Sequence, residues 1–255
     1  MAKTNDNRVS KEARDRMSSY EARKAEFERK RKQTKRRNTL IVGVVSGIFA
    51  LAIVLGVTAA VVSAVNPSPV PVPTATGIDQ TAPDPSLSEN RIWTGSMNVG
   101  GVPLGFELDG AAAPQAVAST VSLITYGFYE GISCHRLTTE GIYVLQCGDP
   151  NGDGSGGPGY SYGPIENAPT DDFYPAGTIA MARQGGNGES MGSQFFIVYE
   201  DSVIPSDQAG GYTVIGHITS GLAQLIADIT SKGTSTGGSD GAPAVPVTMT
   251  AITVK

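Results

Sequence analysis

The stretch Cys134–Asp149, read CHRLTTEGIYVLQCGD, carries the groups best suited to chemistry. Arg136 offers a guanidinium that stays charged at any working pH, and Gln146 offers an amide that both donates and accepts. Tyr143 and Val144 add apolar surface beside Gln146. A fixed cation, an amide and an apolar patch suit a ligand that is partly apolar and carries a carbonyl. Taken alone, the stretch is explained more simply as an ordinary hairpin with one exposed arginine.

The elements that would position these groups follow from pattern. Cys134–Leu137 reads as one β arm and Thr138–Gly141 as a polar bend. Ile142–Cys147 reads as the second arm, rich in β-branched and aromatic residues. His135 adjoins Arg136, so on a strand it faces the other way and reads as a hydrogen-bonded core histidine. Arg91–Val99 and Leu104–Leu108 read as strands around a Gly100–Gly101 turn. Pro114–Tyr129 reads as a helix, with Pro114 in its first turn and an apolar stripe of Val117, Val121, Leu123, Ile124 and Phe128. Gly177–Ala182, Gln194–Tyr199, Tyr212–Ile218 and Val245–Val254 read as strands, and Leu222–Ile229 as a short helix. Many short strands with two helices predict a mainly β domain, an antiparallel barrel or sandwich with helices over its open ends.

Charge divides the 255-residue chain. Residues 1–38 hold 14 Lys/Arg against 6 Asp/Glu, while 39–255 hold 5 against 18. Between them, Thr39–Val65 runs 27 residues without a charge or a proline. About 20 apolar residues suffice to cross a bilayer as a helix. A cleaved signal peptide competes, but its apolar core would span only about 7–15 residues after a short basic region. The expectation is a single transmembrane helix at 39–65. Basic residues flank it only on the N-terminal side, which places the 1–38 tail in the cytoplasm and the rest outside the cell membrane. The basic tail carries no nucleic-acid motif, so its expected partner is anionic lipid. Residues 66–90 hold 6 prolines and read as an extended linker. Residues 91–255 are the folded domain, long enough for one buried core.

The two cysteines, Cys134 and Cys147, both fall in the exported part. An oxidising compartment permits a disulfide across the hairpin, and two free buried thiols are the alternative. A metal site is not expected, because no second Cys/His pair accompanies them.

With Met181–Ile197 (MARQGGNGESMGSQFFI) added, the domain resembles a cyclophilin-type peptidyl-prolyl cis-trans isomerase across residues 91–255. The resemblance rests on Gly127–Gly131 (GFYEG), His135-Arg136, Gln146 with Gly148-Asp149-Pro150, Met181-Ala182, Gly192–Ile197 (GSQFFI) and Tyr212–Gly216 (YTVIG), in that order. It implies a closed eight-stranded antiparallel barrel capped by two α-helices, with the active groove on its outer surface. It implies Arg136 as the catalytic arginine and Tyr143, Val144, Gln146, Ala182, Arg183, Gln194, Phe196, Ile204 and Tyr212 as the groove. It implies proline-containing polypeptides as partners and no cofactor. Tyr143, Val144, Arg183, Ile204 and Tyr212 depart from the usual residues. Ile204 stands in the place of a tryptophan or leucine, so cyclosporin binding should be weakened.

The residues fit that chemistry without a nucleophile. Amide resonance sets the barrier to X-Pro rotation near roughly 18–20 kcal/mol. A guanidinium donating to the nitrogen as it leaves resonance would stabilise the twisted state over the planar one. A membrane-tethered binding module with little turnover is the competing reading.

Two other motifs lead elsewhere. Gly188–Gly192 spells G-x-S-x-G, but a strand-like run follows where a serine hydrolase needs a helix. Asp149–Gly154 resembles the start of a calcium loop, but Tyr160 stands where the bidentate glutamate would be.

Overall fold

The computed structural model describes residues 81–255. The basic tail, the expected membrane span at 39–65 and the first part of the linker lie outside the described residues. No helix among the described residues is long and apolar enough to cross a membrane.

The elements run β1 (Ile92–Val99), β2 (Val102–Asp109), α1 (Pro114–Thr125), β3 (Arg136–Thr138), β4 (Val144–Cys147), β5 (Phe173–Tyr174) and β6 (Thr178–Met181). They continue with β7 (Phe195–Val198), β8 (Ser202–Val203), β9 (Val214–Ser220), α2 (Leu222–Asp228), β10 (Asp240–Gly241) and β11 (Met249–Val254). The expected strands and both helices are present; most have trimmed ends, while β2 is longer than expected at both ends and β3 and β9 are shifted toward the C-terminus by one or two residues. The pairs β5–β8 and β3–β10 involve two-residue strands too short to show a period in sequence.

The expected closed eight-stranded barrel is not the ladder found. Nine antiparallel strands form one sheet in the open order β10-β3-β4-β7-β6-β9-β2-β1-β11. The reason lies at β3, which is three residues long and carries β10 on its outer edge at Leu137 and Thr138. The chain before β3 meets the run into β11 through an isolated Ser133–Thr248 bridge, with Cys134 N donating to Val247 O, Gly131 N to Met249 O and Met249 N to Ile132 O, all at 2.9 Å, and these bonds form no continuous strand ladder.

Register separates the two faces of the sheet. Leu137, Leu145, Ile197 and Ile179 lie opposite one another across β3, β4, β7 and β6. All four are buried in the main core. One residue along, Arg136, Gln146, Phe196, Ala180 and Val214 form the neighbouring row. Side chains alternate across a strand, so this second row faces outward.

Helix α1 stops four residues short of the expected end. Gly127 takes φ +72°, its N–H donates to Ile124 O, and Phe128 N donates to Leu123 O. This pair of bonds is a Schellman cap, which glycine closes at no steric cost. The start of α1 has no side-chain cap of its own. Glu166 instead accepts from Gln115 N and Ala116 N, both at 3.0 Å, satisfying two otherwise unpaired amides.

The folded unit also reaches into the stretch read as linker. Pro85–Ser88 forms a 3-10 turn capped by Asp84, Ser88 is fully buried, and Trp93 Nε1 donates to Ser88 O at 2.8 Å. Gln115 Nε2 donates to Pro83 O at 3.0 Å and ties this turn to α1.

Candidate active site

The outward row builds a groove with a polar end and an apolar end. At the polar end, Arg136 Nε and Nη2 donate to the two carboxylate oxygens of Asp240 at 2.8 and 2.7 Å. Its third nitrogen, Nη1, reaches Gln146 Oε1 at 3.3 Å. Gln146 Nε2 donates to Gln194 Oε1 at 2.9 Å, and Gln194 Nε2 donates to Gly154 O and Gly156 O, both at 2.9 Å. A guanidinium can only donate, so the direction of every bond in this chain is fixed from its cationic end. The pair with Asp240 raises the Arg136 pKa further and holds the Asp240 carboxyl below the usual carboxylate range. Both remain open to solvent, with side chains 40% and 52% exposed, so the acidic neighbour leaves room for a peptide.

At the apolar end, Val144, Tyr174, Ala180, Phe196, Val198 and Ile204 form a second buried cluster, separate from the core. Ile142, Ala182, Tyr212 and Val214 rim it. Tyr212 stands edge-on to Phe196 at 5.5 Å between ring centres. Tyr174 OH accepts from Tyr212 N at 2.8 Å, which pins the backbone beneath that ring. Beyond Gln146 and Gln194 lies a cleft of about 350 Å³ that Tyr160, Ala182, Gln184 and Ser190 also line.

The structure therefore brings together Arg136, Val144, Gln146, Ala182, Gln194, Phe196, Ile204 and Tyr212. It places two expected groove residues differently. Tyr143 precedes Val144 on the strand and so faces the other way. It packs on the main core, edge-on to Tyr199 at 5.9 Å, and Ile142 takes its place at the rim of the hollow. Arg183 adjoins Ala182, but its side chain is fully buried. Its guanidinium bonds both oxygens of Asp207 at 2.9 and 3.0 Å and the carbonyls of Gln184, Gly210 and Gly211. It also lies 4.8 Å from the centre of the Tyr212 ring. The Arg183 side chain thus fixes the loop that carries Tyr212, and with that side chain buried it is the backbone of Arg183 that lines the cleft beside Ala182.

Cys134 and Cys147 form a disulfide, as the hairpin register allows. Gly148, directly after it, takes φ +87° against Ser193, whose Oγ donates to Gly148 O at 2.7 Å. That close approach sets Gln194 beside Gln146. His135 is half-buried beside the Gly154 loop, and its buried Nδ1 has no hydrogen-bond partner, so it is not the hydrogen-bonded core histidine expected. Burial lowers its pKa.

Neither competing motif has the surroundings it needs. Ser190 Oγ is spent on its own loop, donating to Asn187 O at 2.8 Å and accepting from Gln184 N at 2.8 Å, and strand β7 follows it. Asp149 accepts from Asn151 N at 2.8 Å and Asp153 N at 2.9 Å, so it closes a turn. Among the described residues no group of three or more His, Cys, Asp or Glu could hold a metal.

Residues 95–254 match the family described as "Cyclophilin type peptidyl-prolyl cis-trans isomerase/CLD". The chain belongs to the cyclophilin family. Among curated cyclophilins it is 43% identical over 162 residues to the "Probable peptidyl-prolyl cis-trans isomerase B" of Mycobacterium tuberculosis, covering 58% of this chain and 50% of that one. The chain thus spans about half the length of this mycobacterial relative. It is 42% identical over 118 residues to the "Peptidyl-prolyl cis-trans isomerase B" of Bacillus subtilis, covering 46% of this chain and 76% of that one. Among solved structures, a Cryptosporidium parvum cyclophilin determined in the presence of the dipeptide Ala-Pro matches in fold. Its TM-score is 0.52 at 24% identity, covering 64% of this chain and 98% of that one.

Asp240, Asp207 and Tyr174 belong to the site but were not legible in the sequence, and Ile142 belongs to it as well. Asp240 lies 104 residues from Arg136, in a Gly/Ser-rich run with no motif. Ile142 did have a signal, since it shares the parity of Val144 on the strand.

Proposed function

We propose that this chain is a peptidyl-prolyl cis-trans isomerase acting on proline-containing polypeptides. The observation that carries the reading is the placement of Arg136. One of its Nη groups is directed along the groove, next to a hollow floored by Val144 and Phe196 and rimmed by Tyr212. In this reading the hollow grips the proline ring. Arg136 Nη1 donates to the proline nitrogen as it becomes pyramidal, and Gln146 and Gln194 hold the flanking peptide. The donor acts only when the amide twists, which is the condition for a gain in rate.

The test is the isomerisation rate of a proline peptide with the full chain and with Arg136→Ala. Loss of one such donor should lower kcat/KM by roughly 10²-fold. The second reading, a binding module with little turnover, draws on the acidic partner of Arg136. It prevails if the wild-type rate equals that of Arg136→Ala and of the uncatalysed peptide.

The uncharged run at 39–65 and its one-sided basic flank support an anchored enzyme with its isomerase domain outside the cell membrane, serving exported chains. Protease added to intact cells should remove residues 91–255 and spare the tail. Soluble domain in the medium, cut near residue 64, would overturn the anchor. Ile204 in the hollow offers less surface than a tryptophan, so cyclosporin should inhibit weakly and Ile204→Trp should strengthen it.

A further inference from the structure

Asp240 is carried by main-chain contacts that do not involve its side chain. The excursion from Gly233 to Ala244 closes on itself, with Ser235 N donating to Ala242 O and Ala244 N donating to Gly233 O, both at 2.8 Å. Thr139 N donates to Ser239 O at 2.8 Å, and Asp240 itself pairs with Thr138, two residues along β3 from Arg136. The carboxylate is therefore delivered to the edge of β3 by the backbone, whatever Arg136 does.

What the carboxylate then does follows from guanidinium geometry. The group is planar, and binding through two nitrogens at once fixes that plane. Asp240 takes Nε and Nη2. That leaves one Nη2 hydrogen and both hydrogens of Nη1, and Nη1 is the nitrogen turned along the groove, where it meets Gln146 Oε1 at 3.3 Å. That separation exceeds the usual N–H···O range, so this donor is loosely held and free to change partner. Without Asp240, Arg136 on an open strand would swing about its long stem, and no single nitrogen would face the hollow.

We infer that Asp240 is a positioning residue for the isomerase reaction, orienting Arg136 so that Nη1 is the nitrogen presented to the substrate proline. The inference rests on the isomerase reading. Asp240 itself touches no substrate.

The experiment compares the full chain with Asp240→Asn, Asp240→Glu and Arg136→Ala. Two readouts are used, the kcat and KM of a proline peptide and the 15N side-chain signals of Arg136. The clamped guanidinium should show separate Nη1 and Nη2 signals in the wild type. Asp240→Asn should merge them and lower kcat by roughly tenfold while KM stays within about twofold. Asp240→Glu keeps the charge but shifts it by one methylene, so it should recover part of the lost kcat. Should Asp240→Asn fail to fold, Asp240→Glu reads the same two quantities. An unchanged kcat would overturn the inference, and so would a lowered kcat with the two Nη signals still separate. If Arg136→Ala turns over like the wild type, the isomerase reading itself fails, which is a different outcome from either of these.

Discussion

Gln146 Nε2 and Gln194 Oε1 lie 2.9 Å apart, and this contact joins β4 to the start of β7 on the groove face. It links the cation, through Gln146 and Gln194, to the loop carbonyls of Gly154 and Gly156. Gln194→Ala should leave Gln146 free to turn and should release that loop. The expected result is a fall of roughly tenfold in kcat/KM, mostly in KM, with the fold unchanged by circular dichroism. Gln194→Glu should restore the acceptor for Gln146 but lose both bonds to the loop, so its KM should stay high.

Arg183 and Asp207 form the pair that secures the Tyr212 loop. Arg183→Ala should lower the thermal unfolding midpoint by several degrees, because it leaves three carbonyls without their donor and the Asp207 carboxylate without its cation. The bond from Arg183 holds Asp207 well below the usual carboxylate pKa. A carboxyl lowered in the folded state stabilises fully above its unfolded pKa of about 3.9, and that stability is lost as pH falls below it. Urea midpoints should therefore drop between about pH 4 and 2 in the wild type, and drop less steeply in Arg183→Ala.

The Cys134–Cys147 disulfide has a sequence separation of 13 residues. In the chain-entropy model a loop of this size contributes about 3 kcal/mol. Both sulfurs are buried, so the native protein should react slowly with reductant. Thiol titration of the denatured, unreduced protein should find none free. Cys134→Ser with Cys147→Ser should unfold at a lower urea concentration while keeping its isomerase kcat, because neither cysteine faces the groove.

Leu145 and Gln146 are neighbours with opposite duties. Leu145 is fully buried in the core, and Leu145→Ala should cost about 2–5 kcal/mol in urea unfolding with little change in KM. Gln146→Ala should show the reverse, a weakened kcat/KM with stability nearly intact. If both substitutions acted alike on stability and on catalysis, the division of the sheet into two faces would be wrong.

The sequence by itself determined the longer strands and which way each faces. Period-two alternation needs only local information, so the parity of Arg136, Val144 and Gln146 was already written along the chain. The ordered blocks from Gly127 to Gly216 likewise determined the family. Tyr143 shares the parity of Leu145, and the structure places it on the core side although the resemblance implies it in the groove. Only the tertiary structure decided the partners. Asp240 reaches Arg136, Asp207 reaches Arg183 and Glu166 caps α1 across separations of 104, 24 and 50 residues or more. No local pattern encodes such contacts, because a carboxylate reads alike on any surface loop until the fold sets a cation or a bare amide beside it. The open order of the sheet was decided in the same way, by how the short β3 shares its edge with β10.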